Sequence, residues 1–242
     1  MVSKNQIKLI TALRQKKFRH SDGLFFAEGL KVISELLDSH FVPEQIYATA
    51  SVSDNFPAEI TTLISEVELS KISALTTPNA CLGVFRIPVQ KPLPTSGLIV
   101  ALDDVRDPGN LGTIVRLCDW FGVAHLVCSD ESADVFNPKV VQAAMGSIAR
   151  VEVSYTNLEA FVKGARLPVF GTFMDGNNIY DESLPLEGII VLGNEANGIS
   201  EEVEALSTNR ISIPRFGKLQ RTESLNVATA AAIVLSEFRR GS

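Results

Sequence analysis

Five polar side chains stand where apolar text would otherwise run on: Asn110, Arg116, Glu195, Ser224 and Asn226. Around 102–122 an apolar run ends in Asp103-Asp104-Val-Arg-Asp-Pro-Gly-Asn110, and a helical pattern follows. Asn110 stands where a helix cap belongs, because its side chain can accept an otherwise orphaned backbone N–H. Leu111, Ile114, Val115 and Cys118 fall on one face of that helix, and Thr113, Arg116 and Trp120 on the other. An arginine fork beside a tryptophan suits an interface or an anionic ligand, and it equally suits a solvated surface. Glu195 lies between Gly193 and Gly198, just after an apolar run. It reads as an oriented carboxylate or as an ordinary loop acid. Ser224 and Asn226 open a helix rich in alanine, as caps or as ligand contacts.

Elements must place those residues. Short apolar runs at 98–102, 125–128, 151–153, 168–172, 188–192 and 211–213 read as buried strands, with helical patterns between them. That alternation predicts an α/β fold with a parallel sheet covered on both faces. Ligands of such sheets bind at the C-terminal ends of the strands, which is where Asn110 and Glu195 fall. The text Pro-Gly-Asn-Leu-Gly spells neither GxGxxG nor a P-loop, so dinucleotide and ATP sites are not expected.

The segment 88–97 holds three prolines and a glycine and ends a first, smaller α/β region. Residues 1–90 are expected to form one domain, 91–97 a linker and 98–242 a second domain. In the first, helices are expected at 3–15, 30–37, 57–64 and 70–75, with strands at 24–27, 45–48 and 82–87.

Net charge is −6, but its distribution is uneven. Residues 1–95 carry 10 basic against 9 acidic side chains, and the first 20 residues carry six basic and none acidic. Local patches rather than totals govern phosphate contacts. The three cysteines, Cys81, Cys118 and Cys128, lack metal-ligand spacing and read as buried thiols, so no metal is expected. No apolar run reaches the ~18–20 residues of a membrane span, and no apolar signal core follows the first residues. A cytoplasmic protein without a membrane partner is expected.

Taken in order, these segments resemble the SpoU (TrmH-type) family of RNA ribose 2′-O-methyltransferases in the SPOUT superfamily. The family pattern Asp-x-x-Asp-Pro-x-Asn-x-Gly, followed by a helix with arginine, is similar to residues 104–116. Its Gly-x-Glu-x-x-Gly resembles residues 193–198. Its Ile-Pro with Ser-Leu-Asn-Val resembles Ile213-Pro214 and residues 224–227, and residues 141–147 resemble a small-residue stretch between the first two motifs. Lys16-Lys17-Phe18-Arg19 and residues 26–30 are similar to the L30e-like RNA-binding domain that often precedes the catalytic one.

The resemblance implies a SPOUT α/β domain with a deep trefoil knot. It implies S-adenosylmethionine as cofactor, held around Thr172, Leu192, Gly193, Ile213 and Leu225, and a homodimer in which Arg116 lies near the other subunit's cofactor. Arg116, with Asn110, Glu195, Ser224 and Asn226, would carry catalysis. A guanidinium with a pKa above ~12 is a poor base, so Arg116 is better suited to stabilising the developing alkoxide or gripping a phosphate. Lys16, Lys17 and Arg19 would contact RNA. So would Lys218 and Arg221, on a loop of six residues between Gly217 and Ser224 that is longer than the family's usual one. The RNA is expected to be ribosomal, with transfer RNA as the alternative substrate. A non-catalytic RNA-binding or ribosome-assembly factor of the same fold is the rival class.

Overall fold

The computed structural model describes residues 2–217, 219 and 224–241. The chain divides into two compact units. One comprises Met1–Val89 with Asp134–Ala149, the other Gln90–Ala133 with Arg150–Ser242.

The first unit begins with α1 (Lys4–Ala12), α2 (Lys16–Asp22), β1 (Leu24–Glu28), α3 (Leu30–Leu37), β2 (Pro43–Ala48), β3 (Thr61–Leu63), α4 (Glu66–Ile72) and β4 (Cys81–Arg86). Its sheet runs β1-β4-β2-β3. β4 lies antiparallel to both neighbours, and β3 lies parallel to β2. Ile10, Leu13, Phe26, Tyr47, Leu69, Ile72 and Leu82 form its core. Ser65 caps α4, and Glu68 returns the favour. The Glu68 carboxylate accepts from the backbone N–H of Ser65 at 3.0 Å and of Val2 at 2.9 Å. Those two donors hold the Glu68 carboxyl down at about 2.

Three elements differ from expectation. The helix expected at 70–75 is α4, which starts at Glu66 behind its Ser65 cap and ends at Ile72. The stretch 57–64 is one 3₁₀ turn followed by the edge strand β3. Its β-branched Thr61 and Thr62 favour an extended backbone, and only three residues pair. The segment after α1 forms a separate helix, α2, whose one buried side chain is the charged Arg19. A helix with no apolar stripe has no periodicity to read.

The second unit holds β5 (Leu98–Asp103), α5 (Pro108–Trp120) and β6 (His125–Cys128). The chain then contributes α6 (Pro138–Ala144) to the first unit before β7 (Glu152–Tyr155). There, Phe136 packs on Phe25 with ring centres 4.7 Å apart. Gly146, at φ +93°, lies so close to Glu35 that a Cβ would fall 2.6 Å from its Oε2. The second unit continues with α7 (Leu158–Gly164), β8 (Val169–Asn178), β9 (Gly188–Gly193), α8 (Glu201–Glu204), β10 (Asn209–Ser212) and α9 (Val227–Arg239).

Its six strands are ordered β10-β8-β9-β5-β6-β7, and every neighbouring pair is parallel. The parallel sheet expected from the alternating text is present. Ile99, Ala101, Ile189 and Val191 share a core with Leu158 and Val162 of α7 and Val203 of α8. The alternate residues Val100, Leu102, Ile190 and Leu192 are equally buried, and strand periodicity turns them to the opposite face. α9 packs there, with Phe238 meeting Phe170 edge-on at 5.1 Å. From β5 the chain order proceeds one way to β6 and β7, then returns to build β8 and β9 on the other side. The switch point therefore lies between β5 and β9, where Asp103 stands opposite Gly193. The 88–97 segment is tied to the second unit by Lys91–Glu152 at 2.6 Å and by paired Gln90–Tyr155 hydrogen bonds.

Candidate active site

Two loops leave the sheet at the switch point, and both are cross-tied. Buried Asp103 accepts from the backbone N–H of Ser200 at 2.8 Å and from its hydroxyl at 2.7 Å. Asn194 donates to the Asp104 carbonyl at 2.8 Å and accepts from the backbone of Ala196 and Asn197. Asn194 and Gly198 exchange two backbone hydrogen bonds, which closes the loop on itself. A Cβ on Gly193 would lie 2.2 Å from the Gly198 carbonyl carbon, and Gly198 has φ +74°. Both glycines are steric requirements of that turn. No role at the site was expected for Asp103, Asn194 or Ser200. Their signal is only that polar residues sit at the end of an apolar strand.

The turn presents Glu195 to α5. The Asn110 Nδ2 donates to Glu195 Oε1, and the Asn110 Oδ1 accepts from Asn226 Nδ2 at 2.9 Å. Asn226 also caps α9, its Oδ1 accepting from the backbone N–H of Ala228 at 3.0 Å and Thr229 at 3.2 Å. Three of the five expected catalytic residues, drawn from three separate segments, thus form one chain of hydrogen bonds.

Asn110 does not cap its helix. Proline fits the first helical position, so α5 starts at Pro108, and the Asp107 carboxylate accepts the Asn110 N–H at 2.8 Å. That earlier start leaves the Asn110 side chain available for Glu195 and Asn226. α9, in contrast, starts later than expected, at Val227 rather than 224.

Beside this network lies a cleft of about 1320 Å³. Thr172, Leu192, Gly193, Ile213 and Leu225, the five expected cofactor contacts, all line it, together with Glu195 and Ser224. The Thr172 hydroxyl is spent on the Val191 carbonyl at 3.0 Å, locking β8 to β9. Phe173, Met174, Arg215, Leu219 and Ala230 line the cleft as well, and nothing in their spacing had marked them. Apolar walls with strand-end backbone and a few convergent polar groups suit a small organic ligand with an aromatic ring. The volume exceeds the roughly 300–1,000 Å³ of ordinary ligand sites, leaving room for a second, adjoining group.

Arg116 does not line the cleft. It is exposed on the outer face of α5 with Thr113 and Trp120, and Trp120 is 84% exposed. Among the described residues no hydrogen bond or ion pair holds its guanidinium.

Lys16 and Lys17 are exposed on α2, as a phosphate contact requires. Arg19 is a correction. It is 1% exposed, its Nε and Nη2 donate to Asp134 at 2.9 and 2.5 Å, and its Nη1 donates to the carbonyls of Leu13 and Arg14. Its donors are consumed inside the first unit and cannot grip RNA. Lys218 and Arg221 lie outside the described residues.

The cysteines are buried, and burial pushes Cys81 up to about 11, Cys118 up to about 12 and Cys128 higher still. None is a thiolate nucleophile at neutral pH. Among the described residues no group of three or more His, Cys, Asp or Glu is arranged around a metal position, and no helix is long and apolar enough to cross a membrane.

The SpoU rRNA methylase family model matches residues 97–236, and the model of the MRM3-like substrate binding domain matches residues 4–83. The chain is 31% identical to the Bacillus subtilis 23S rRNA (guanosine(2553)-2′-O)-methyltransferase RlmP, over 98% of this chain and 97% of that protein. Among solved structures, a TrmH-family protein from Porphyromonas gingivalis superimposes with a TM-score of 0.91 at 40% identity, covering 100% of both chains. The AdoMet-bound rRNA methyltransferase from Sinorhizobium meliloti superimposes with a TM-score of 0.89 at 29% identity, covering 99% of this chain and 97% of that one. With a parallel sheet that carries Asn110, Glu195 and Asn226 to a single switch point, this chain belongs to the SpoU rRNA methylase family.

Proposed function

We propose that this chain is an RNA methyltransferase that uses S-adenosylmethionine to methylate a ribose 2′-hydroxyl of ribosomal RNA. The carrying observation is the cleft beside β8 and the ends of β9 and β10: all five residues expected to hold the cofactor line it, and so does Glu195, which the Asn110 side chain holds. The residues fit the group. Leu192, Ile213 and Leu225 would offer apolar surface to an adenine ring, and Thr172 and Gly193 would help to hold the cofactor. When bound, the cofactor supplies an electrophilic methyl on a sulfonium.

The protein's own work is alignment and charge stabilisation. Glu195 lines the cleft and holds Asn110, Asn110 holds Asn226, and together they would orient the ribose. Ser224 lines the same cleft. Arg116 stabilises the developing alkoxide or the adjacent phosphate with its fork. Since it stands away from its own cleft, it acts in a homodimer, at the partner's site. Trp120 and Thr113 beside it supply the contact face, as an exposed tryptophan next to arginine does at interfaces. The C-terminal segments are threaded as a trefoil knot, and Lys16 and Lys17 of the substrate-binding unit engage RNA phosphates. The same reading carries a cytoplasmic location, where bacterial ribosomal RNA is made.

Mapping ribose methylations of ribosomal RNA in cells with and without the gene tests the reaction. A methylation lost on deletion and restored by the wild-type gene is expected. An unchanged map, with no heat on titrating the pure protein with S-adenosylmethionine, would overturn the reading in favour of a non-catalytic RNA-binding factor.

A further inference from the structure

The ladder between β8 and β10 breaks at one point. Arg210 stands opposite Gly171, while the next residue, Ile211, stands opposite Asn177. Five residues of β8, 172–176, are therefore inserted against none on β10. Three of them, Thr172, Phe173 and Met174, line the cleft. An insertion of that length is free to take many shapes unless side chains fix it.

Arg210 stands at the foot of the insertion. Its guanidinium carbon lies 3.7 Å from the centre of the Phe173 ring. In the same pose its Nη2 bonds Asp175 at 2.7 Å, and its Nη1 bonds Glu204 of α8. The ring also closes on Gly171, where a Cβ would fall 2.3 Å from the Phe173 ring edge and 2.7 Å from the Ser207 hydroxyl. Gly176 ends the insertion against the backbone of Ile211, where a Cβ would fall 2.6 Å away. A planar guanidinium can stack on a ring with its face while its edge bonds two carboxylates, and an ammonium cannot.

We propose that Arg210 is a positioning residue for the cofactor: by clamping Phe173 and Asp175 it sets the 172–174 wall of the cleft in its ligand-binding shape. This rests on the reading of the cleft as the S-adenosylmethionine site. Arg210 touches no reacting atom, so its loss weakens cofactor binding and leaves the chemical step alone.

The test is calorimetric titration of the full-length protein with S-adenosylhomocysteine, alongside turnover on ribosomal RNA at saturating S-adenosylmethionine. Arg210→Met should weaken binding about two- to fivefold, the size of a cation–π contact at a part-exposed site. Turnover at saturation should stay within about twofold, because uniform binding energy acts on KM and not on kcat. Arg210→Lys should recover only part of the affinity. Phe173→Leu should weaken binding to a similar extent, and adding Arg210→Met to it should cost little more, because the two act through one contact. If Arg210→Met fails to fold, Asp175→Asn removes one arm of the clamp from the surface and should weaken binding about twofold, because an exposed ion pair contributes little. Wild-type affinity in Arg210→Met or in Asp175→Asn, or full additivity with Phe173→Leu, would overturn the clamp. No binding by the wild-type protein would instead overturn the cofactor reading on which it rests.

Discussion

The corner of α2 in the first unit and the outer face of α5 in the second each carry an arginine offered by the sequence as a polar contact. They end in opposite states. Arg19 is buried and meets Asp134 and two carbonyls. Arg116 is exposed, and among the described residues nothing holds it. A guanidinium carries five donors, and the acceptors a fold supplies decide what it is for. Where they are supplied internally, the arginine is architecture. Where they are withheld, its donors stay open to water or to a partner from outside.

The largest effect expected from this contrast is on stability. Arg19→Ala should cost about 3–5 kcal/mol, because it strands a buried carboxylate on Asp134. Replacing both partners, Arg19→Met with Asp134→Leu, should recover most of the loss in a urea titration. An Arg19→Ala protein as stable as wild type but deficient in RNA binding would break the comparison. Next comes Arg116→Ala, which should lower turnover by about 10²–10³, the effect of losing one preorganised charge contact. Its melting temperature should barely move, since exposed substitutions away from special features usually stay within ±0.5 kcal/mol. Arg116→Lys should lose most activity as well, because a point charge does not replace a fork. Near-normal turnover in either variant removes Arg116 from the mechanism.

A smaller effect is expected from Asn110→Asp, which exchanges the donor to Glu195 for a second carboxylate. Turnover should fall about tenfold, in keeping with one charged hydrogen bond lost, and raising the salt should not restore it. Smallest is the pH dependence from Glu68. Its folded carboxyl titrates at about 2 against an ordinary value of 4.5. The unfolded chain therefore takes up the proton first as pH falls, so the contribution is complete above about 4.5 and disappears as pH drops through about 2. Glu68→Gln should flatten that part of an acid melting profile and leave the neutral-pH activity unchanged.

Much of the second unit was readable from its text. Its strands are short apolar runs bounded by glycine and polar turns, and a parallel sheet buried on both faces has to be written that way. The residues expected to hold the cofactor were readable only through motif resemblance, but they fall on one cleft because the ends of β9 and β10 and the inserted stretch of β8 converge there. The failures share a cause. α2 buries one side chain, and that one is charged, so no apolar period marks it. The Asn110 cap was misplaced because Asp107-Pro108 starts the helix a turn earlier. Arg210 looks like any polar residue on an edge strand. Its role depends on a six-residue jump in register that appears only when β8 and β10 are laid side by side. Nor does the apolar pattern of 138–144 say which unit it will join.

That last segment bears on how the protein is made. Arg19 and Asp134 are separated by 115 positions along the chain. The first unit is therefore not finished when residue 89 leaves the ribosome. It waits through β5, α5 and β6 for its final piece, at roughly 5–20 residues per second of synthesis. Closing so long a loop is slow relative to local pairing, so Arg19 spends that interval without Asp134, with only the Leu13 and Arg14 carbonyls in reach. The order of synthesis thus delays completion of the first unit until residues 134–149 are made, and a chain cut after residue 89 would leave the ribosome without the carboxylate its buried cation requires.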